Sequence, residues 1–147
     1  CCRGGHDGIL RTLLDARADP TIPAHYGYSP ILGAARKGHV ATLRTLLGAR
    51  VDPDTTDVYG YTPCHGAVHS HQLHTMRELL DARADPNIPL HKDGVTALIS
   101  AVKKRFPEGL RMLIEGGADP NAREKLGNAP LHYAVNASAK AESILLT

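Results

Sequence analysis

Four histidines crowd together at His65, His69, His71 and His74, and the first two are spaced i, i+4, which on a helix turns both imidazoles to one face. Zinc is the chemistry that such spacing suggests. A structural zinc site needs a tetrahedral ligand set, and no nearby cysteine or carboxylate completes one, so no metal is expected. Cys64 beside His65 offers a nucleophile next to a base, but adjacent residues on a helix point in different directions, and no catalytic residues are expected. Asp19, Asp52, Asp85 and Asp119 look like a carboxylate array. Each precedes a proline, however, and they read as one structural position met four times, the side chain accepting backbone N–H groups of its own turn. Neither a Gly-rich phosphate loop nor a serine elbow occurs. The chain reads as a non-enzyme without a cofactor.

Two further groups of residues are suited to recognition. Arg36 and Lys37, with Lys103, Lys104 and Arg105, form a basic strip whose plainest reading is a solvated helix face. Nucleic acid demands more charge than a formal net +2, with stacking aromatics alongside, so no nucleic-acid partner is expected. Tyr26, Tyr28, Tyr59 and Tyr61 bracket Gly27 and Gly60. Exposed, they suit interface anchors, combining large area and a polar tip with little entropy to lose. Packed sideways on neighbouring loops, they stiffen the array instead.

A repeat positions all of these residues. Gly27, Gly60, Gly94 and Gly127 recur at intervals of 33, 34 and 33, and the Asp-Pro steps at 33, 33 and 34. A leucine or isoleucine pair precedes each Asp-Pro: Leu13-Leu14, Leu46-Leu47, Leu79-Leu80 and Leu113-Ile114. Two landmarks keeping one period establish a repeat architecture. Such a stack also explains a chain with no tryptophan and one phenylalanine, because units that bury their faces only against neighbours need small and aliphatic residues rather than rings.

Local signals give each unit two helices. Ser29, Thr62 and Thr96 are the expected N-caps of the first helix, with Pro30 and Pro63 as good first-turn residues. Gly38-His39 ends one such helix, and Val40 to Leu47 is the expected second, burying Leu43, Leu46 and Leu47. In the third unit an extra residue lengthens the loop between Asp85 and Gly94, and Arg105-Phe106-Pro107 replaces the Gly-His break. The last unit is worn: Ala129 stands at the cap, and Ser143-Ile144-Leu145-Leu146 brings the leucine pair one residue early.

The pattern in Gly60-Tyr61-Thr62-Pro63-Cys64-His65-Gly66-Ala67, in Gly127 to Ala134 and in Gly116-Gly117-Ala118-Asp119-Pro120-Asn121 resembles the ankyrin repeat. The resemblance implies an all-α solenoid of stacked helix-turn-helix pairs with projecting β-hairpin fingers. It divides the chain into a partial repeat at 1–23, repeats at 24–56, 57–90 and 91–123, and a degraded one at 124–147. His65 then becomes a structural histidine bonded to Thr62, and Cys64 faces the core in the place of the family's leucine. Leu32 and Ile99 in the histidine's place imply weaker ties in their repeats. Arg17, Arg50 and Arg83 stand where the family has glycine. If that backbone is left-handed, each costs on the order of 1 kcal/mol, partly offset by its charge at a helix C-terminus.

The implied function is a non-catalytic scaffold binding a partner protein through its concave finger and first-helix surface. The expected contact residues are His25, Tyr26, Tyr28, Tyr59 and Tyr61 on the fingers, with Arg36, Lys37, His69, Lys103 and Lys104 on the helices. A partner apolar at its centre and acidic at one side fits them. The alternative is a structural subunit bracing a large assembly. Both ends of the stack lack convincing caps and are expected to be covered by further repeats or a partner. The first residues, CCRGGHDG, begin inside a repeat, which suggests a fragment. No apolar run approaches the roughly 20 residues of a membrane helix, so no membrane insertion is expected. Thin cysteine usage favours an intracellular, reducing compartment, the cytosol by default or an organelle interior.

Overall fold

The structure, a computed structural model, describes residues 5–136. Cys1, Cys2 and the early leucine pair at Leu145-Leu146 lie outside the described residues. Seven α-helices run in chain order: α1 Gly5–Asp15, α2 Pro30–Lys37, α3 Val40–Gly48, α4 Pro63–His69, α5 Leu73–Asp81, α6 Ala97–Lys103 and α7 Pro107–Glu115. Residues 130–136 are helical again. The inner helices α2, α4 and α6 touch in series, as do the outer helices α1, α3, α5 and α7. Each inner helix also packs on the outer helix that follows it, so the chain is a stack of helical hairpins.

Local chemistry sets the start of every inner helix. The Ser29 hydroxyl accepts from Leu32 N–H at 3.3 Å, Thr62 from His65 N–H at 3.3 Å and Thr96 from Ile99 N–H at 3.4 Å. Only the Thr62 helix carries the reciprocal capping box among these, with the His65 ring reaching back to the Thr62 N–H. Ser29 lacks a histidine partner at Leu32 and instead lies 3.3 Å from the Thr55 hydroxyl of the next loop. At Ala129, His132 Nδ1 accepts the N–H at 3.1 Å and replaces part of the missing cap.

The breaks between helices are left-handed whether or not glycine is present. Gly38, His71 and Arg105 occupy one position with φ of 73°, 55° and 53°, and Arg17, Arg50, Arg83 and Gly117 another with φ of 63°, 62°, 64° and 93°. Around Arg50 the bonds Arg50 N to Leu47 O and Val51 N to Leu46 O close the helix end at 3.0 and 3.2 Å, the pairing of a Schellman motif.

The core is continuous from hairpin to hairpin, with Ile31, Leu43, Leu46, Cys64, Val68, Met76, Leu79, Leu98 and Leu113 fully buried. Leu47, expected inside, is only partly covered. Buried alanines at Ala35, Ala67 and Ala101 let the inner helices approach one another. A polar tie between hairpins lies in this interior, where Thr75 Oγ1 donates to the Ala35 carbonyl at 3.0 Å.

Fingers project from the stack as tight hairpins, and no strand ladder forms among the described residues. A backbone bond closes each: Ala24 N to Tyr28 O, Asp57 N to Tyr61 O, Leu90 N to Val95 O and Glu124 N to Asn128 O. The third spans one residue more than the others, which places the extra residue at its tip. Successive tips are tied by Val58 N to Tyr26 O, His91 N to Tyr59 O and Lys125 N to Asp93 O, at 3.0, 3.0 and 2.8 Å. Gly60, at φ 84°, sits so close to the third finger that a Cβ there would lie 2.8 Å from His91 N.

Candidate functional site

The four phenols divide into two kinds. Tyr26 and Tyr59, at adjacent fingertips, are 61% and 55% exposed. Tyr28 and Tyr61, one residue before the helix caps, are only half-exposed, which departs from the expectation of four exposed rings. Tyr28 lies over Gly33, whose missing Cβ would fall 3.2 Å from the ring, and Tyr61 meets the His65 ring edge to face at 5.8 Å. Sideways packing also holds for the exposed pair: the Tyr26 and Tyr59 rings are 6.5 Å apart, and His25 stands edge-on to Tyr26 at 4.1 Å. Tyr26 takes the left-handed conformation, φ 60° and ψ 21°, which is uncommon for a bulky side chain.

All four rings line one groove of about 430 Å³, together with His25, Leu32, Arg36, Asp57, Gly66 and His69. Its floor is the inner surface of α2 and α4, and its walls are the first two fingers. Asp57 shapes the second finger, its Oδ1 accepting the N–H groups of Tyr59 and Tyr61 at 2.9 Å each. Leu32, Asp57 and Gly66 did not stand out in the sequence. Gly66 belongs there because a Cβ would press to 3.1 Å from Leu32 and 3.4 Å from Arg36. The signal for Asp57 was its spacing of two and four residues to Tyr59 and Tyr61, repeated by Glu124 with Leu126 and Asn128.

Of the basic residues, Arg36 joins this groove, whereas Lys103 and Lys104 line a neighbouring hollow of about 240 Å³. Lys37 is exposed and lines neither. The Lys103 ammonium lies 4.6 Å from the centre of the Tyr133 ring. His69 borders both hollows. Partial burial holds its pKa below the ordinary value, and the positive charges of Lys104, Arg36 and His71 lower it further.

The remaining polar clusters are structural. His65 is buried, with Nδ1 against the Thr62 hydroxyl and Nε2 on the Val95 carbonyl, so neither nitrogen is free to bind a metal. Burial first of all depresses its pKa to about 4. The same cause pushes the Cys64 thiol up to about 12, leaving no thiolate for chemistry at neutral pH. Asp19, Asp52, Asp85 and Asp119 each accept the N–H two residues on. Among the described residues no group of three or more His, Cys, Asp or Glu could hold a metal ion, and no helix is long and apolar enough to cross a membrane.

The geometry has a counterpart among known families. Residues 1–90 and 33–124 match the family model of ankyrin repeats in three copies. No curated protein matches the chain significantly.

Proposed function

Because the chain belongs to the ankyrin-repeat family, whose repeats generally mediate protein–protein interaction, we propose that it is a non-catalytic scaffold that holds a partner protein in the tyrosine-lined groove. One observation carries the reading: Tyr26, Tyr28, Tyr59 and Tyr61 converge with Arg36 on a single concavity of about 430 Å³. Tyrosine and arginine are the side chains that most often anchor interfaces, and this volume lies within the usual range for a binding cleft. The groove is lined by no serine, threonine, cysteine or lysine, and its carboxylate Asp57 is engaged by backbone N–H groups, so recognition is the use that its chemistry supports.

The test replaces the two exposed rings. Tyr26→Ala combined with Tyr59→Ala removes little core, so helicity by circular dichroism stays unchanged. Affinity for the partner identified by cross-linking the native complex falls by at least ~ten-fold. Wild-type affinity would refute the assignment.

A second reading, a bracing subunit of a large assembly, is favoured by exposed apolar side chains at both described ends: Ile9 and Leu13 on α1, Leu131 and Val135 in the last described helix. On a sizing column a scaffold that exchanges partners runs as a monomer, whereas a brace aggregates alone.

A further inference from the structure

The tyrosine groove adjoins the second hollow at Tyr61 and His69, which line both, the second with Leu90, Lys103 and Lys104. The joined trough crosses α2, α4 and α6 in order, aromatic at one end and cationic at the other. Two carboxylates border it, and both are engaged: Asp57 by the N–H groups of Tyr59 and Tyr61, Asp93 by the Val95 N–H at 3.1 Å. Among the described residues neither Arg36 nor Lys104 makes an ion pair, although Arg44 and Arg11 elsewhere do. These two cations flank His69, because α4 lies between α2 and α6.

Resting on the reading of the groove as a binding site, we infer that the trough takes an extended peptide segment with an acidic side chain. An apolar or aromatic side chain of that segment sits among the four tyrosines. A few residues along, the acidic side chain sits at His69 between Arg36 and Lys104. Charge complementarity selects this occupant, because Arg36 and Lys104 are exposed, without an ion pair among the described residues, on either side of His69, and a carboxylate there gives both a charge-assisted partner. It also selects against a basic segment, which would meet like charge.

The placement carries a proton signature. His69 is faced by Arg36 from α2, by Ser100, Lys103 and Lys104 from α6 and its end, by Tyr61 and Asp93 from the fingers, and by His71 from its own loop. A carboxylate arriving there turns net repulsion of the imidazolium into attraction. Binding then takes up a proton and tightens as pH falls toward 6.

Arrays of decapeptides, each with one position fixed as Glu, phosphoserine, Lys or Leu and the rest mixed, test this on the full chain. Glu-fixed pools are retained at least ~ten-fold over Lys-fixed pools, and Arg36→Gln or Lys104→Gln weakens the best single peptide about five-fold or more. That peptide binds about three-fold tighter near pH 6 than near pH 7.5, and His69→Gln removes the difference. Equal retention of Lys-fixed or Leu-only pools overturns the acidic specificity, and a phosphoserine preference of ~ten-fold over Glu assigns the site to phosphate instead. A flat pH profile removes the acidic side chain from His69. If an uncharged peptide wins and Tyr26→Ala with Tyr59→Ala abolishes its binding, the groove stands and only the acidic specificity falls. If no pool is retained, or the double variant binds like wild type, the groove reading itself fails.

Discussion

His65 donates from Nε2 to the carbonyl oxygen of Val95, 3.2 Å away in the following finger. A carbonyl can only accept, so the proton resides on Nε2 and Nδ1 is left to accept from the Thr62 hydroxyl at 2.9 Å. The neutral ring is thereby satisfied on both sides and joins a helix cap to its neighbour.

A pH dependence follows from that arrangement. The unfolded chain takes up this proton around the ordinary value of 6.5 and the folded chain only near 4. Between those values the unfolded state binds more protons, so stability is full above about 6.5 and falls as pH drops toward 4, by roughly 3 kcal/mol in all. Urea midpoints of wild type and His65→Leu across this window should show a slope that the variant lacks; parallel slopes would assign the proton elsewhere.

Arg50→Gly should raise the melting temperature. At φ 62° an exposed arginine carries a left-handed cost of about 1 kcal/mol that glycine does not. Arg50→Ala, which keeps the Cβ, should give none of that gain, and a gain from alanine equal to that from glycine would show that the charge rather than the backbone matters.

Ala24→Asp should stabilise the first finger. In the second and fourth fingers the carboxylate at this position accepts two N–H groups, from Tyr59 and Tyr61 at Asp57 and from Leu126 and Asn128 at Glu124. A carboxylate at Ala24 would offer the same to Tyr26 and Tyr28, worth roughly 1 kcal/mol by thermal melt. A lower melting temperature would show that the left-handed turn at Tyr26 and this side chain are incompatible.

Thr75→Val removes the hydroxyl that joins the Gly38 N–H in donating to the Ala35 carbonyl, in the buried seam between hairpins. The shape is kept, so the loss reports the hydrogen bond, about 1–2 kcal/mol in chemical denaturation. An unchanged midpoint would show that the Gly38 N–H alone suffices for that carbonyl.

What was legible in the sequence is what a few consecutive residues decide. The caps at Ser29, Thr62 and Thr96 and the turns at the four Asp-Pro steps depend on contacts two or three residues away, so their chemistry is written locally. The divided fate of the tyrosines was not. Tyr28 is covered because the facing residue on α2 is Gly33, and Tyr26 turns onto His25 and Tyr59 through a left-handed backbone of its own, one residue before the left-handed turn that Gly27 announces. Thr75 and Ala35, forty residues apart, meet only once the hairpins are stacked. Lys37, grouped with Arg36 by sequence, follows it by one helical position and so points away from the groove that Arg36 lines.

Tyr26 and Tyr59 stand on successive fingers joined by the bond from Val58 N to Tyr26 O. The jaws that a ligand would part are thus mounted on separate hairpins, and wedging them tilts one hairpin against the next. The span between the two rings is therefore set by how successive hairpins sit on one another, through that one backbone bond.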